Sequence, residues 1–86
     1  MLKITDIEPG QSYACKFKLT TLLDRNGKIP KDNTEVIENI GEYESLGIIA
    51  KRDLDKNLVE LIDNDSGVKF IIPFTNIWDI DKIDWI

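Results

Sequence analysis

The sequence predicts a mainly β protein: a small barrel of about five antiparallel strands, with one long decorated loop and at most one short helix. Two observations carry that expectation. Residues 44–86 read as short apolar runs separated by tight polar turns, the rhythm of a meander that curls on itself. Tyr13, Cys15, Phe17 and Leu19 alternate with Ala14, Lys16, Lys18 and Thr20, the pattern of a half-buried strand. The 86 residues make one domain, 1–86, and 42% apolar with 31% charged residues is the composition of a folded globular chain. Strand is expected to occupy about 45–55% of it.

Ile7-Glu8-Pro9-Gly10 is a turn, because proline sets φ and glycine tolerates positive φ. The first strand follows through Tyr13 to Thr20. Asp24-Arg25-Asn26-Gly27 suits a type I′ hairpin, with brief pairing through Lys28 and Ile29 before Pro30. Asp32 and Glu35 resemble a capping box, and Val36, Ile37 and Ile40 fall at helical spacing, so one or two helical turns are expected at about 33–40. The second strand runs from Glu44 to Arg52, the third from Leu58 to Asp63 and the fourth from Val68 to Phe74. Pro73 lacks an N–H and belongs at an edge or a bend.

Ile77, Ile80, Ile83 and Ile86 recur every three residues, which fits neither a clean strand nor a clean α-helix. A 3₁₀ turn near Thr75 to Trp78 and a final strand from about Ile80 to Trp85 is the favoured reading. A helix capped by Asn76 is the alternative. Residues 80–85 should pair within the sheet, with Trp85 packed on the first strand or the Thr21–Tyr43 loop. The expected core is Tyr13, Cys15, Phe17, Leu19, Ile48, Ala50, Val59, Leu61, Phe70, Ile72 and Ile83.

Histidine is absent and Cys15 is the one cysteine, which removes Ser-His and Cys-His nucleophile pairs, clustered zinc ligands and internal disulfides. A reducing cytoplasm suits such a chain. No run approaches the ~18 apolar residues that span a bilayer, and Met1 to Asp6 has no signal-peptide character. Asp53, Asp55 and Asn57 mimic the start of a calcium loop, but Leu58 and Asn64 stand where glycine and glutamate are needed. Asp63-Asn64-Asp65-Ser66-Gly67 fails in the same way and reads as a turn. Neither an enzyme nor a cofactor is expected.

The order of one strand, a long loop, three strands on tight turns, a 3₁₀ turn and a closing strand resembles SH3-like barrels. Ile7-Glu8-Pro9-Gly10 and Pro73-Phe74-Thr75-Asn76-Ile77 are similar to the lead-in and crossover of those barrels. The long loop carries Leu22-Leu23-Asp24 in place of an Ala-Leu-Tyr-Asp-Tyr motif, and Leu58 opens the third strand in place of a tryptophan pair. The resemblance therefore does not imply binding of proline-rich peptides. In its acidic, catalytically bare style the chain also resembles small proteins of bacteriophages.

Two candidate surfaces emerge. The net charge of −5 is skewed, −1 over residues 1–43 and −4 over residues 44–86. Tyr43, Trp78, Asp79, Asp81, Asp84 and Trp85 combine carboxylates with the residue types that dominate interface hot spots. They point to a binding module that contacts a basic protein partner. Lys16, Lys18, Lys51, Arg52 and Lys69 form the rival set, a small barrel binding nucleic acid. The acidic balance weighs against that rival, and a variant of it is an acidic mimic of nucleic acid.

Overall fold

The computed structural model describes residues 2–84. Its elements are a 3₁₀ turn at Ile4–Asp6, β1 (Ser12–Leu19), a 3₁₀ turn at Asn33–Glu35, β2 (Gly41–Asp53), β3 (Leu58–Asp63), β4 (Lys69–Pro73), a 3₁₀ turn at Phe74–Asn76 and β5 (Ile77–Ile83). The five strands form one antiparallel sheet in the order β4-β3-β2-β1-β5. Strand accounts for 49% of the described residues, inside the expected range.

The sheet rolls. β1 and β4 are three strand spacings apart, about 14 Å in a flat sheet, yet the rings of Phe17 and Phe70 meet edge to face at 5.1 Å. Tyr43 stacks on Phe17 at 5.8 Å and leans on Phe70 at 5.7 Å. The expected Tyr13, Cys15, Phe17, Leu19, Val59, Leu61, Phe70 and Ile72 are all buried inside the roll, joined by Ile7, Leu23, Val68, Ile77 and Ile80. Burial, then the charge of Asp79, pushes the Cys15 thiol up to about 12.

β2 departs from expectation by one residue. Ser45, Gly47 and Ile49 face inward, while Ile48 and Ala50 are exposed. A bulge between Ile49 and Lys51 leaves Ala50 without a partner on β3. Gly47 holds the inward register because a Cβ there would collide with the Ile62 carbonyl oxygen. Ile83 is half-buried on the outward side, opposite Ser12, and is likewise outside the core.

The 33–40 segment forms no α-helix. A single 3₁₀ turn spans Asn33–Glu35, its Thr34 amide donating to the Asp32 carboxylate while the Glu35 carboxylate reaches back to accept from the Lys31 amide. The chain then extends, and Leu23 bridges Glu38, which leaves Ile37 and Ile40 exposed instead of on a buried helical face. The Asp24–Gly27 turn is not type I′ either, since Gly27 has positive φ and Asn26 does not. Gly27 seats this hairpin on β4, where a Cβ would stand 2.7 Å from the Lys69 carbonyl oxygen. The long loop thereby shields an edge strand that ends in Pro73, as its missing N–H requires.

β5 explains the isoleucine period. Lys16 opposes Asp79 and Phe17 opposes Ile77, so Trp78 is an extra residue in the ladder. That bulge lets Ile77 and Ile80 both face inward although they are three apart. The strand reading of the segment stands, and residues 80–83 pair with β1. The expectation for Trp85 lies outside the described residues.

Asp63 organises the β3–β4 turn. Its Oδ1 accepts from the Asp65 and Ser66 amides and the Ser66 hydroxyl, and its Oδ2 accepts from the buried Ser45 hydroxyl at 2.5 Å. Burial raises this carboxyl, but the hydrogen bonds from Ser45, Ser66 and Asp65 outweigh it and hold the group below the usual carboxylate range. A depressed folded pKa contributes stability above the unfolded value of about 3.9, lost as pH falls through the folded value. Asp63→Asn should therefore cost about 1 kcal/mol near neutrality, since solvent screens part of the carboxylate's charge. Urea denaturation from neutral to acid pH checks this: the gap to wild type should close below the carboxylate range. A constant gap would show that Asp63 carries no such linkage.

Candidate functional site

The outward faces of β5, β1, β2 and β3 make one continuous surface, and the register sorts it into rows. Across its upper half Lys18 stands opposite Glu42, and Lys16 stands between Glu44 and Asp79. Across its lower half Ala14 faces Leu46, and Ile83, Ser12, Ile48 and Ile62 lie in one line. Leu46, Ile48 and Ile62 are 43%, 46% and 37% exposed, although strands of one small domain usually turn such residues inward.

Trp78 borders the charged half. The β5 bulge swings its indole outward, leaving it 50% exposed. It lines a shallow hollow of about 360 Å³ together with Lys16, Glu42, Tyr43 and Glu44. Tyr43 borders the hollow from β2 but, as the partner of buried Phe17, turns its ring to the inner face onto Phe17 and Phe70, and its hydroxyl donates to the Asn39 carbonyl at 2.6 Å. Burial, followed by the Glu38 carboxylate, raises the Tyr43 phenol. Of the expected partner-binding residues that are described, Trp78 alone turns its side chain into the hollow; Tyr43 alternates with the outward Glu42 and Glu44 and faces the core, so it is not part of this outer surface as expected.

The others are spread along β5. Asp79 is half-buried beside Lys16, Asp81 is exposed opposite Ala14, and Asp84 is exposed beyond the strand end. Trp85 lies outside the described residues. Glu42, Glu44, Leu46, Ile48 and Ile62 belong to the surface and were not anticipated as such. Their only sequence signal is the strand register, which alternation alone left open.

The basic set does not assemble. Lys16 and Lys18 sit among carboxylates, whereas Lys51 lies seven residues along β2 from the partner of Lys16, about 23 Å away. The Arg52 guanidinium donates to the carbonyls of Thr5 and Ile7, at 3.2 and 3.0 Å, and fastens the N-terminal turn to β2. Lys69 pairs with Glu60 at 3.5 Å.

A second cavity, of about 400 Å³, lies between the long loop and the β4 end of the sheet. Leu19, Leu23, Ile29, Leu58, Ile71 and Pro73 supply its aliphatic walls, and Lys18 and Lys28 also line it. Among the described residues no aromatic ring lines it, so it offers no stacking platform. No helix among the described residues is long and apolar enough to cross a membrane. No protein-family model matches the chain, and neither a curated protein nor a solved structure is detectably similar to it.

Proposed function

We propose that this chain is a non-enzymatic binding module that acts through protein–protein contact, receiving a basic side chain of its partner in the hollow beside Trp78. The observation that carries this reading is a half-exposed indole facing two carboxylates, Glu42 and Glu44, across one shallow depression. An ammonium or guanidinium over an indole gains about 0.5–2 kcal/mol, and adjacent carboxylates add to it. Lys16 offsets part of the negative field, but Glu42, Glu44 and Asp79 surround it. The strand order and the 3₁₀ turn before β5 support the resemblance to SH3-like barrels. A reducing compartment such as the cytoplasm suits the free, buried Cys15.

Calorimetric titration with an arginine-rich peptide tests the reading. Wild type should bind, more weakly as salt rises, and Trp78→Ala should lose about tenfold or more in affinity while melting like wild type. Equal binding by the two proteins, or no binding by wild type, would overturn the assignment of the hollow.

A further inference from the structure

We infer that the outer face of the sheet closes on a second copy of this chain, about a two-fold axis parallel to the strands and midway between β1 and β2. The inference rests on the binding-module reading and names the partner of that surface. A two-fold so placed lays β1 of one copy over β2 of the other at the same height along the strands. Residues that are neighbours within one sheet then become partners between copies.

Each row of the face complements itself under that operation. Lys16 meets the second copy's Glu44, and Lys18 meets its Glu42, because each pair is already in register across β1 and β2. Ala14 meets Leu46, and at the far end the second copy's Ile83 comes over Ile62. A two-fold perpendicular to the strands would instead set the charged rows on the apolar rows. Among the described residues neither lysine has a carboxylate within ion-pairing distance in its own chain, although oppositely charged residues flank both. These charges stand free on the face, and the basic groups that the hollow calls for are present on the chain itself.

The extent of the face sets the strength. Eight residues of β1 span about 26 Å, and four strands span about 14 Å. The outside of a rolled sheet is convex, and stacked sheets cross at about 30°, so contact is densest at Ala14, Lys16, Glu44 and Leu46 and extends to the flanking rows of Lys18 with Glu42 and Ser12 with Ile48. That places the interface at the small end of specific ones, with dissociation constants in the micromolar range or weaker.

Sedimentation equilibrium, from about 10 µM to about 1 mM so as to bracket so small an interface, provides the test. Wild type should pass from one chain to two across that range, and Ile48→Lys should weaken association about tenfold or more. Lys16→Glu with Lys18→Glu, and separately Glu42→Lys with Glu44→Lys, should each stay monomeric through like-charge repulsion. Mixed in equal amounts, the two variants should recover a two-chain species, which no effect within a single chain can produce. Circular dichroism confirms that each variant is folded, and Ile48→Lys carries the test if a charge variant is not. A wild type that stays monomeric throughout, self-association unchanged by all three variants, or a mixture that stays monomeric, would overturn the two-fold assembly. A monomeric wild type that still binds the arginine-rich peptide through Trp78 would overturn the assembly alone and leave the binding-module reading in place.

Discussion

Replacing Gly47 with valine is expected to abolish folding. Gly47 lies inside β2, opposite Tyr13 on β1 and Asp63 on β3, so hydrogen-bonded strands hold it from both sides. A Cβ at this position collides with the Ile62 carbonyl oxygen and stands 2.9 Å from its carbon. Both are backbone atoms, so relief requires the β2–β3 pairing itself to move. Overpacking costs about 1–3 kcal/mol and sometimes more, against a stability near the low end of 5–15 kcal/mol for so small a domain. Gly47→Ala should remain folded but lose about 3 kcal/mol, and the methyls of valine should remove what is left. Cys15 reports the outcome, because a buried thiol held near 12 does not react with alkylating reagents at mildly alkaline pH. Rapid labelling of Gly47→Val without denaturant is the expected result, and a protected Cys15 would refute it.

Phe17→Ala should cost about 3–5 kcal/mol, which is most or all of the stability. Its ring is fully buried and joins β1 to β4, two strands that share no hydrogen-bonded ladder. The roll of the sheet depends on side chains of this kind, and Tyr43 and Phe70 lose their shared neighbour when the ring is removed. Urea denaturation should show the loss directly. Trp78→Ala, which removes a half-exposed ring, should leave the midpoint within about 0.5 kcal/mol of wild type. A Phe17→Ala midpoint equally close to wild type would mean that the sheet curls for backbone reasons alone.

β1 was legible because Lys16 and Lys18 mark its outer face without ambiguity, and β3 matches its expected bounds because polar turns flank it. β2 was not, since Leu46, Ile48 and Ala50 are as apolar as Gly47 and Ile49, and hydropathy cannot choose between two apolar faces. The choice is made by a backbone contact at Gly47 and a bulge at Ala50, neither of which has a hydropathic signature. The same holds at Trp78, where one extra residue turns a three-residue period into a strand. Asp32 and Glu35 announced a turn correctly, but the bridge from Leu23 to Glu38 kept Val36 to Ile40 from continuing it as a helix. The candidate surface inherits these errors. Trp78 could be nominated by residue type, but the same criterion picked Tyr43, which the register turns to the core, and Glu42, Glu44 and the apolar row became neighbours only once that register was known.

The pairing of β1 with β5 also governs when the protein can fold. Cys15 sits opposite Ile80, so β1 acquires one of its two neighbours only after β2, β3 and β4 have all been made. β2, β3 and β4 can pair in sequence order as they emerge, but β1 keeps a row of open amides until residues 77–83 are free. Closing so long a loop comes late and slowly, on the millisecond-to-second scale of sheets built from distant segments. Until then the growing chain exposes the strand on which its core is centred, and a chaperone bound to residues 12–19 would find its substrate during that interval.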